Sequence, residues 1–345
     1  IETSSEGILQ HRHRGIDYSV AVFTNLSPEH IEHHGSFENY RAAKLKLFKK
    51  VAGKKDGIGV YNLDDENIQY FLQIPVVKKY GYSVNPLTLS RYAGLRSENN
   101  MGELLPKQGD EVAASKTIEK FQISNIKLSS NKTEFELDGE RFEMPLIGEF
   151  NVYNAAAAIC LALSQRIEME KIKEALKQAK PVPGRLEVID QGQPFTVIVD
   201  YAHEPTSLEE VYKTLKIFNP KKIIALLGAQ GGGRDKQKRP ILGRIAAQYA
   251  DYVIITNEDP YDEDPSQILS EIKSGISNFQ FPISNLFEIL DRRKAIRKAL
   301  SLARANDIVI MTGKGGEVWM SVENNKKIPW HESEIVREEL RKLSL

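Results

Sequence analysis

Glu2, Ser4, Ser5, Gln10, Arg12, His30 and Lys44 fall within the first 48 residues, IETSSEGILQHRHRGIDYSVAVFTNLSPEHIEHHGSFENYRAAKLKLF. Together they bring carboxylate, hydroxyl, amide, guanidinium, imidazole and amine groups into one short stretch. Glu2 and His30 each come at or just after the end of a strand-like run, where an oxygen and an imidazole can face one crevice and hold a divalent ion. With water and phosphate oxygens completing the shell, such donors suit Mg²⁺ or Mn²⁺. A plainer arrangement pairs Glu2 with a nearby arginine and leaves His30 to cap a helix. Five of the seven histidines lie between residues 11 and 34, so zinc held by His30, His33 and His34, or by His11 and His13, is a further option. No CxxC or HExxH accompanies them, which favours a solvated histidine-rich surface. Lys44 shares a helical stretch with Leu45, Leu47, Phe48 and Val51 and is flanked by Lys46, Lys49 and Lys50; on spacing alone it is one more solvated lysine.

The elements that must position these groups are legible in outline. A chain of 345 residues, 41% apolar, can bury two ordinary cores. Lys+Arg and Asp+Glu are both 47, so the overall charge gives no reason to expect nucleic acid or an anionic membrane as a partner. Cys160 is the single cysteine and cannot form an internal disulfide, which points to a cytoplasmic address. No apolar run approaches the roughly 18 residues that span a bilayer. The chain opens at Ile1, directly on what reads as the end of a strand, and is expected to be a fragment of a longer protein.

Residues 19–25 (SVAVFTN) read as a buried strand leading into helix, an α/β arrangement, and GIGVYNLDDEN as a second strand with its turn. FQISNIKLSS and KTEFELDGERFEMPL alternate, with Asp138-Gly139 offering a tight hairpin turn. Asn151 is expected to cap the helix VYNAAAAICLALSQR, and EKIKEALKQA forms another before KPVPGR interrupts. A domain boundary is placed near Lys180, giving domains 1–180 and 181–345. Beyond it, FTVIVDYA, KKIIALLG, DYVIITN and DIVIMTG are each followed by a polar or glycine-rich turn and a helical segment, the pattern of a parallel, doubly wound sheet. Asp200, Arg234, Glu258 to Tyr261 and Gly313 to Glu317 all follow such strands directly, where ligands bind in these sheets.

In their order and spacing these motifs resemble the Mur ligases, over nearly the whole chain, and most closely the MurE type that adds the third amino acid to UDP-N-acetylmuramoyl-L-alanyl-D-glutamate. The resemblance implies part of a Mur ligase central ATPase domain over 1–180, binding ATP and the muramoyl substrate. It implies a Rossmann-like C-terminal domain over 181–345 that binds the incoming amino acid. Glu2 of the E-x-S-S motif and His30 of N-[LV]-[ST]-x-[DE]-H are then ligands of Mg²⁺ or Mn²⁺. Lys44 of Tyr40-Arg41-Ala42-Ala43-Lys44 becomes a carbamate that ligates a second ion, and Lys44, His30 and Arg185 are the catalytic set. Ser4, Gln10 and Arg12 match the S-S-x-G-x-x-Q-x-R pattern that holds the muramoyl dipeptide, with Glu6 in place of the usual histidine. Asn151 and Asn154 of GEFNVYNAAAA lie near adenine, while Arg185 of PVPGRLEVI and Asp200 of VDYAHEP serve phosphate and ribose.

Arg234 in GAQGGGRDKQKRP, Glu258, Asp259, Pro260 and Tyr261 in NEDPYDEDP, and Gly313 and Glu317 in TGKGGE align with the MurE amino-acid pocket. Tyr261 stands where diaminopimelate-adding members carry the arginine of D-N-P-R, and Asp262, Glu263 and Asp264 follow it. That favours a cationic side chain such as lysine or ornithine, unless these acids merely cap the helix starting near Pro265. Gly316 replaces the histidine of G-K-G-H-E. A phosphate-binding G-[TS]-x-G-K-[TS] loop is absent from these residues, and the family places it before E-x-S-S. These residues alone are therefore expected to be inactive. The expected partners are small molecules (UDP-muramoyl dipeptide, ATP as co-substrate, an amino acid), with no nucleic acid and no membrane, and the protein is expected to be a monomer. The competing readings are another superfamily ligase such as folylpolyglutamate synthetase, which the Q-x-R pattern and GRDKxKRP disfavour, and a non-catalytic binding module.

Overall fold

The computed structural model describes residues 1–28, 31–91, 118–277, 279 and 281–343. They form two compact units, Ile1–Ala179 and Lys180–Leu345.

The first unit is built on six strands that lie side by side in chain order: β1 (Val20–Phe23), β2 (Ile58–Asn62), β3 (Lys78–Ser83), β4 (Ile118–Leu128), β5 (Thr133–Leu137) and β6 (Glu140–Met144). The first four run parallel and the last three antiparallel. Asp138 and Gly139 join β5 to β6 with φ of 50° and 84°, the left-handed pair that a two-residue hairpin requires. Its helices are α1 (Ser5–Leu9), α2 (Ile31–His34), α3 (Phe37–Ala52), α4 (Ile68–Leu72), α5 (Pro86–Arg91), α6 (Glu149–Ser164) and α7 (Met169–Lys177). Ser36 caps α3 by accepting a hydrogen bond from the Asn39 amide at 3.2 Å, and Tyr40, Ala43, Phe48 and Val51 form its buried face. That face meets Phe23, Tyr61 and Phe71 in one core. On the helix α6, Ala155, Ala156, Ala157 and Cys160 are buried beside Tyr82, Phe135 and Phe142. Burial pushes the Cys160 thiol up, so it is an inert core residue. The α6 helix begins earlier than expected: Gly148, with φ 101°, is its N-cap, and Asn151 sits in the first turn, where its amide donates to the Ile147 carbonyl at 2.8 Å.

The second unit is a six-stranded sheet of β7 (Glu187–Ile189), β8 (Thr196–Val199), β9 (Ile223–Leu227), β10 (Tyr252–Ile255), β11 (Leu286–Glu288) and β12 (Ile308–Met311), in the order β11-β10-β9-β12-β8-β7. All neighbours are parallel except β7, which lies antiparallel to β8 on the edge. Helices α8 (Pro205–Leu215), α9 (Lys238–Tyr249), α10 (Pro265–Ser277), α11 (Arg292–Leu302) and α12 (Glu332–Leu343) accompany it, with the hairpin β13 (Trp319–Val322) and β14 (Lys326–Pro329). The four central strands β8, β9, β10 and β12 are buried almost throughout, the β-branched signature of parallel sheets covered on both faces, while the edge strands β7 and β11 are largely not. The chain crosses the sheet in one direction from β7 to β11 and then turns back, β12 inserting between β9 and β8, so that the connections leaving β9 and arriving at β12 run in opposite directions across the sheet. Crevices at such switch points are where doubly wound sheets bind ligands. The loops that leave β9 and β12 carry Arg234 and Gly313 to Glu317. No helix among the described residues is long and apolar enough to cross a membrane.

Candidate active site

In the first unit, Ser4 caps α1, its hydroxyl accepting from the Gly7 amide at 3.1 Å, and the Arg12 amide donates to the Gly7 carbonyl at 2.8 Å. A Cβ on Gly7 would lie 3.0 Å from Ser4 Oγ and 3.5 Å from Arg12 Cζ, so the hydroxyl and the guanidinium flank the same face of this glycine. Gln10 follows as the exposed C-cap. Glu6, the departure from the family pattern, faces His33 at 3.7 Å.

Helix α1 packs against α3, which carries Lys44; the Lys44 ammonium lies 5.6 Å from the centroid of the Tyr40 ring. Glu2 is exposed immediately before α1. His30 lies outside the described residues. The loop leading towards it is held from the segment after β2. Asp65 accepts from the Leu26 amide at 2.8 Å, Asn62 donates to the Thr24 carbonyl at 2.8 Å, and Asn67 donates to the Leu26 carbonyl at 3.2 Å. A carboxylate from Glu2 and a carbamate on Lys44 would be hard oxygen donors from adjoining elements, which fits Mg²⁺ in kind. Among the described residues no three His, Cys, Asp or Glu side chains converge as a metal cage; of the expected ligands only Glu2 is a described member of those residue types. Asn154 donates to Asn151 Oδ1 at 3.1 Å, so the two amides form a pair on α6.

In the second unit, Asp200 is buried at the end of β8 and accepts from the Leu186 amide at 2.7 Å and the Ala202 amide at 2.7 Å. Burial raises its carboxyl above the usual range, although both amides favour the charged form. The bond to Leu186 fixes the Pro183-Gly184-Arg185 turn onto the sheet, and Arg185, exposed overall, lies with its guanidinium over the Tyr201 ring. Arg234 stacks over the Tyr261 ring at 5.3 Å. Tyr261 itself has φ 52°, and its amide donates to the Ser321 carbonyl of the hairpin at 3.3 Å. The acids after Tyr261 are all engaged. Asp262 accepts from the Asn324 amide, Glu263 pairs with Lys236 and Arg239, and Asp264 accepts from the Ser266 amide ahead of α10. They serve loop and helix structure, which removes them as an argument for a cationic substrate.

Glu258 is 0% exposed, and neither carboxylate oxygen has a hydrogen-bond partner. It lies beneath Gly313 (φ 101°), where a Cβ would come 2.0 Å from its Oε2, so only glycine fits above it. Burial pushes its carboxyl from 4.5 up to about 7, against the pull of Arg292 and Lys314. A raised carboxyl pKa means the folded state holds a proton that the unfolded chain has released, so stability falls as pH rises from about 4.5 towards 7. Glu258→Gln is expected to flatten this dependence and to stabilise the protein above pH 7 by about 1–3 kcal/mol. Denaturant midpoints across pH 4–8 check it; parallel curves for the two proteins would contradict it.

Two residues inside the quoted motifs, Tyr201 and Lys314, escaped assignment from sequence although each touches assigned ones. Lys314 is fully buried and donates to both oxygens of Asp259 at 3.0 Å, and Tyr201 donates to Glu317 at 3.0 Å. Arg292, which pins the ends of β10 and β12, carried no motif signal at all.

A mixed-sheet unit followed by a parallel doubly wound unit, with Arg234 and Gly313 to Glu317 on loops that leave its sheet, is the architecture that two descriptions of one ligase family match. Residues 1–162 match the Mur ligase middle domain and residues 184–315 the Mur ligase glutamate ligase domain. The chain belongs to the Mur ligase family. It is 37% identical over 324 residues, 94% of its length, to UDP-N-acetylmuramoyl-L-alanyl-D-glutamate–2,6-diaminopimelate ligase of Syntrophomonas wolfei. It is 34% identical over 333 residues, again 94% of its length, to UDP-N-acetylmuramyl-tripeptide synthetase 2 of Oceanobacillus iheyensis. Each alignment takes in 60% of the relative, so the chain spans about three fifths of these curated proteins. Among solved structures, one of a UDP-N-acetylmuramoyl-L-alanyl-D-glutamate–2,6-diaminopimelate ligase superposes with a TM-score of 0.55 at 29% identity, covering 99% of this chain and 64% of that one.

Proposed function

We propose that the protein adds the third amino acid to UDP-N-acetylmuramoyl-L-alanyl-D-glutamate in an ATP-driven step of peptidoglycan precursor synthesis. The observation that carries this reading is the substrate run, folded so that Ser4 and Arg12 flank one face of Gly7. Arg12 meets a substrate carboxylate with its paired donors, and Ser4 and Gln10 supply polar contacts. An oxygen of the D-glutamyl γ-carboxylate attacks the γ-phosphorus of ATP, the bond to the bridging oxygen breaks, and ADP leaves an acyl phosphate behind. The amino acid's amine, having released one proton, attacks the acyl carbon; the carbon–oxygen bond to phosphate breaks, and the nitrogen loses its second proton. Arg185 stabilises charge on the transferred phosphate, Asp200 meets the ribose, and Asn151 and Asn154 lie against adenine. Mg²⁺ held by Glu2, His30 and a carbamate of Lys44 would neutralise phosphate charge. The remaining contribution of these side chains is positioning and preorganised electrostatics.

Arg234, Tyr261, Gly313 and Glu317 receive the amino acid, with Asp259 and Pro260 shaping the loop and Glu258 below it. Tyr261 offers no guanidinium for a second carboxylate, so lysine or ornithine is the proposed substrate. The relatives named for 2,6-diaminopimelate make that amino acid the competing outcome. The test is phosphate release by the full-length protein given ATP, Mg²⁺, the muramoyl dipeptide and single amino acids. Release with lysine or ornithine is expected. Dependence on diaminopimelate would overturn the Tyr261 argument alone, and no release with any amino acid would overturn the ligase reading.

A further inference from the structure

Tyr201 follows β8 and belongs to neither the phosphate set nor the amino-acid set, yet it touches both. The Arg185 guanidinium lies over its ring, Cζ 4.3 Å from the centroid, and its hydroxyl donates to Glu317 Oε1 at 3.0 Å. The other oxygen of Glu317 accepts from the buried Lys314 ammonium, which also holds both oxygens of Asp259 at 3.0 Å. Asp259 in turn accepts from the Ser321 amide at 2.7 Å. Contact beneath these side chains is main chain against main chain. A Cβ on Gly184 would lie 1.9 Å from the Gly316 nitrogen, and one on Gly316 would lie 2.5 Å from the Pro183 carbonyl oxygen. One on Gly315 would come 2.6 Å from Tyr201 Cβ.

We infer that Tyr201 is a positioning residue that holds the phosphate-binding Arg185 and the amino-acid-binding Glu317 at one fixed separation, with Lys314 bracing Glu317 from the opposite side. The inference rests on the roles proposed above for those two residues. Amide formation needs the amine and the acyl carbon within about 3–3.5 Å, and two long side chains lose that registry unless something rigid spans them. Tyrosine does this with separable contacts: the ring face carries the guanidinium, and the hydroxyl alone reaches the carboxylate. Gly316, standing where the motif elsewhere has histidine, allows the turns beneath to touch.

Calorimetric titration of the full-length protein with L-lysine, with meso-diaminopimelate and with the Mg²⁺ complex of a non-hydrolysable ATP analogue tests this. Tyr201→Phe is expected to weaken whichever amino acid binds by about 10-fold while leaving the nucleotide within about twofold, because a single hydrogen bond to a charged group is lost. Tyr201→Leu is expected to weaken both ligands. An unchanged amino-acid affinity in Tyr201→Phe, or equal losses for both ligands as a general loosening would give, would overturn the inference. If the unsubstituted protein binds the nucleotide but neither amino acid, the roles assigned to the pocket fall, and this inference falls with them.

Discussion

Arg292→Met is expected to destabilise the second unit by about 3–5 kcal/mol, read as a lowered urea midpoint, because it strands a buried carboxylate. Arg292 is 2% exposed and Glu332 1%. Arg292 Nε donates to both oxygens of Glu332 at 3.0 and 3.1 Å, and its terminal nitrogens reach the Asn257 carbonyl at 3.1 Å and the Thr312 carbonyl at 2.8 Å. Those carbonyls close β10 and β12, immediately before Glu258 and Gly313. One guanidinium thus holds together the two loops proposed to receive the amino acid. Removing both charges avoids the stranded group, so Arg292→Met combined with Glu332→Leu is expected to recover most of the loss. A single-variant shift no larger than the ~0.5 kcal/mol typical of surface substitutions would show that the pair is dispensable.

Lys44→Arg is expected to lower amino-acid-dependent phosphate release by about 10²–10³-fold, the scale seen when one preorganised charge-stabilising group is lost. Arginine keeps the positive charge and much of the length of lysine but does not form the carbamate that an amine makes with carbon dioxide. The ammonium first releases one proton; the amine nitrogen then bonds to the carbon of carbon dioxide, one carbon–oxygen π bond opens onto oxygen, and the nitrogen releases a second proton, so that a cation becomes an anionic oxygen donor. Depleting bicarbonate and carbon dioxide is expected to slow phosphate release by the unsubstituted full-length protein and to leave Lys44→Arg unaffected. Release by Lys44→Arg close to that of the unsubstituted protein would remove the carbamate from the mechanism.

The sequence made the second unit's architecture readable because its signals are local. Each of the four β-branched runs became a parallel strand, and the loops after them hold the assigned residues. The Asp138-Gly139 turn was equally local, since its two left-handed φ values demand those residue types. The cap of α6 misled because asparagine favours N-caps in general, whereas the sharp turn at Gly148 needs a positive φ that glycine adopts freely. The short strands β7 and β11 carry too few residues to show a period. The acids after Tyr261 could be read as a cationic pocket because their partners lie far along the chain: Asp262 bonds the Asn324 amide and Glu263 meets Arg239. Arg292 with Glu332, 40 residues apart, and Tyr201 with Glu317, 116 apart, are the same case. Long-range polar pairs leave no pattern in a window of a dozen residues.

The last helix has a consequence for the order in which this unit can be made. Glu332 and Glu339 on α12 neutralise Arg292, Arg293 and Arg297 on α11, and Arg337 reaches back to Glu187 on β7, the unit's first strand. A ribosome delivers every strand of the sheet before it delivers these acids. Until α12 emerges, Arg292 lacks the carboxylate that it hydrogen-bonds, so the unit is expected to complete folding only once Glu332 has left the exit tunnel. A stop codon ahead of Glu332 is therefore expected to yield a chain with all its strands but with Arg292 deprived of the carboxylate that it hydrogen-bonds.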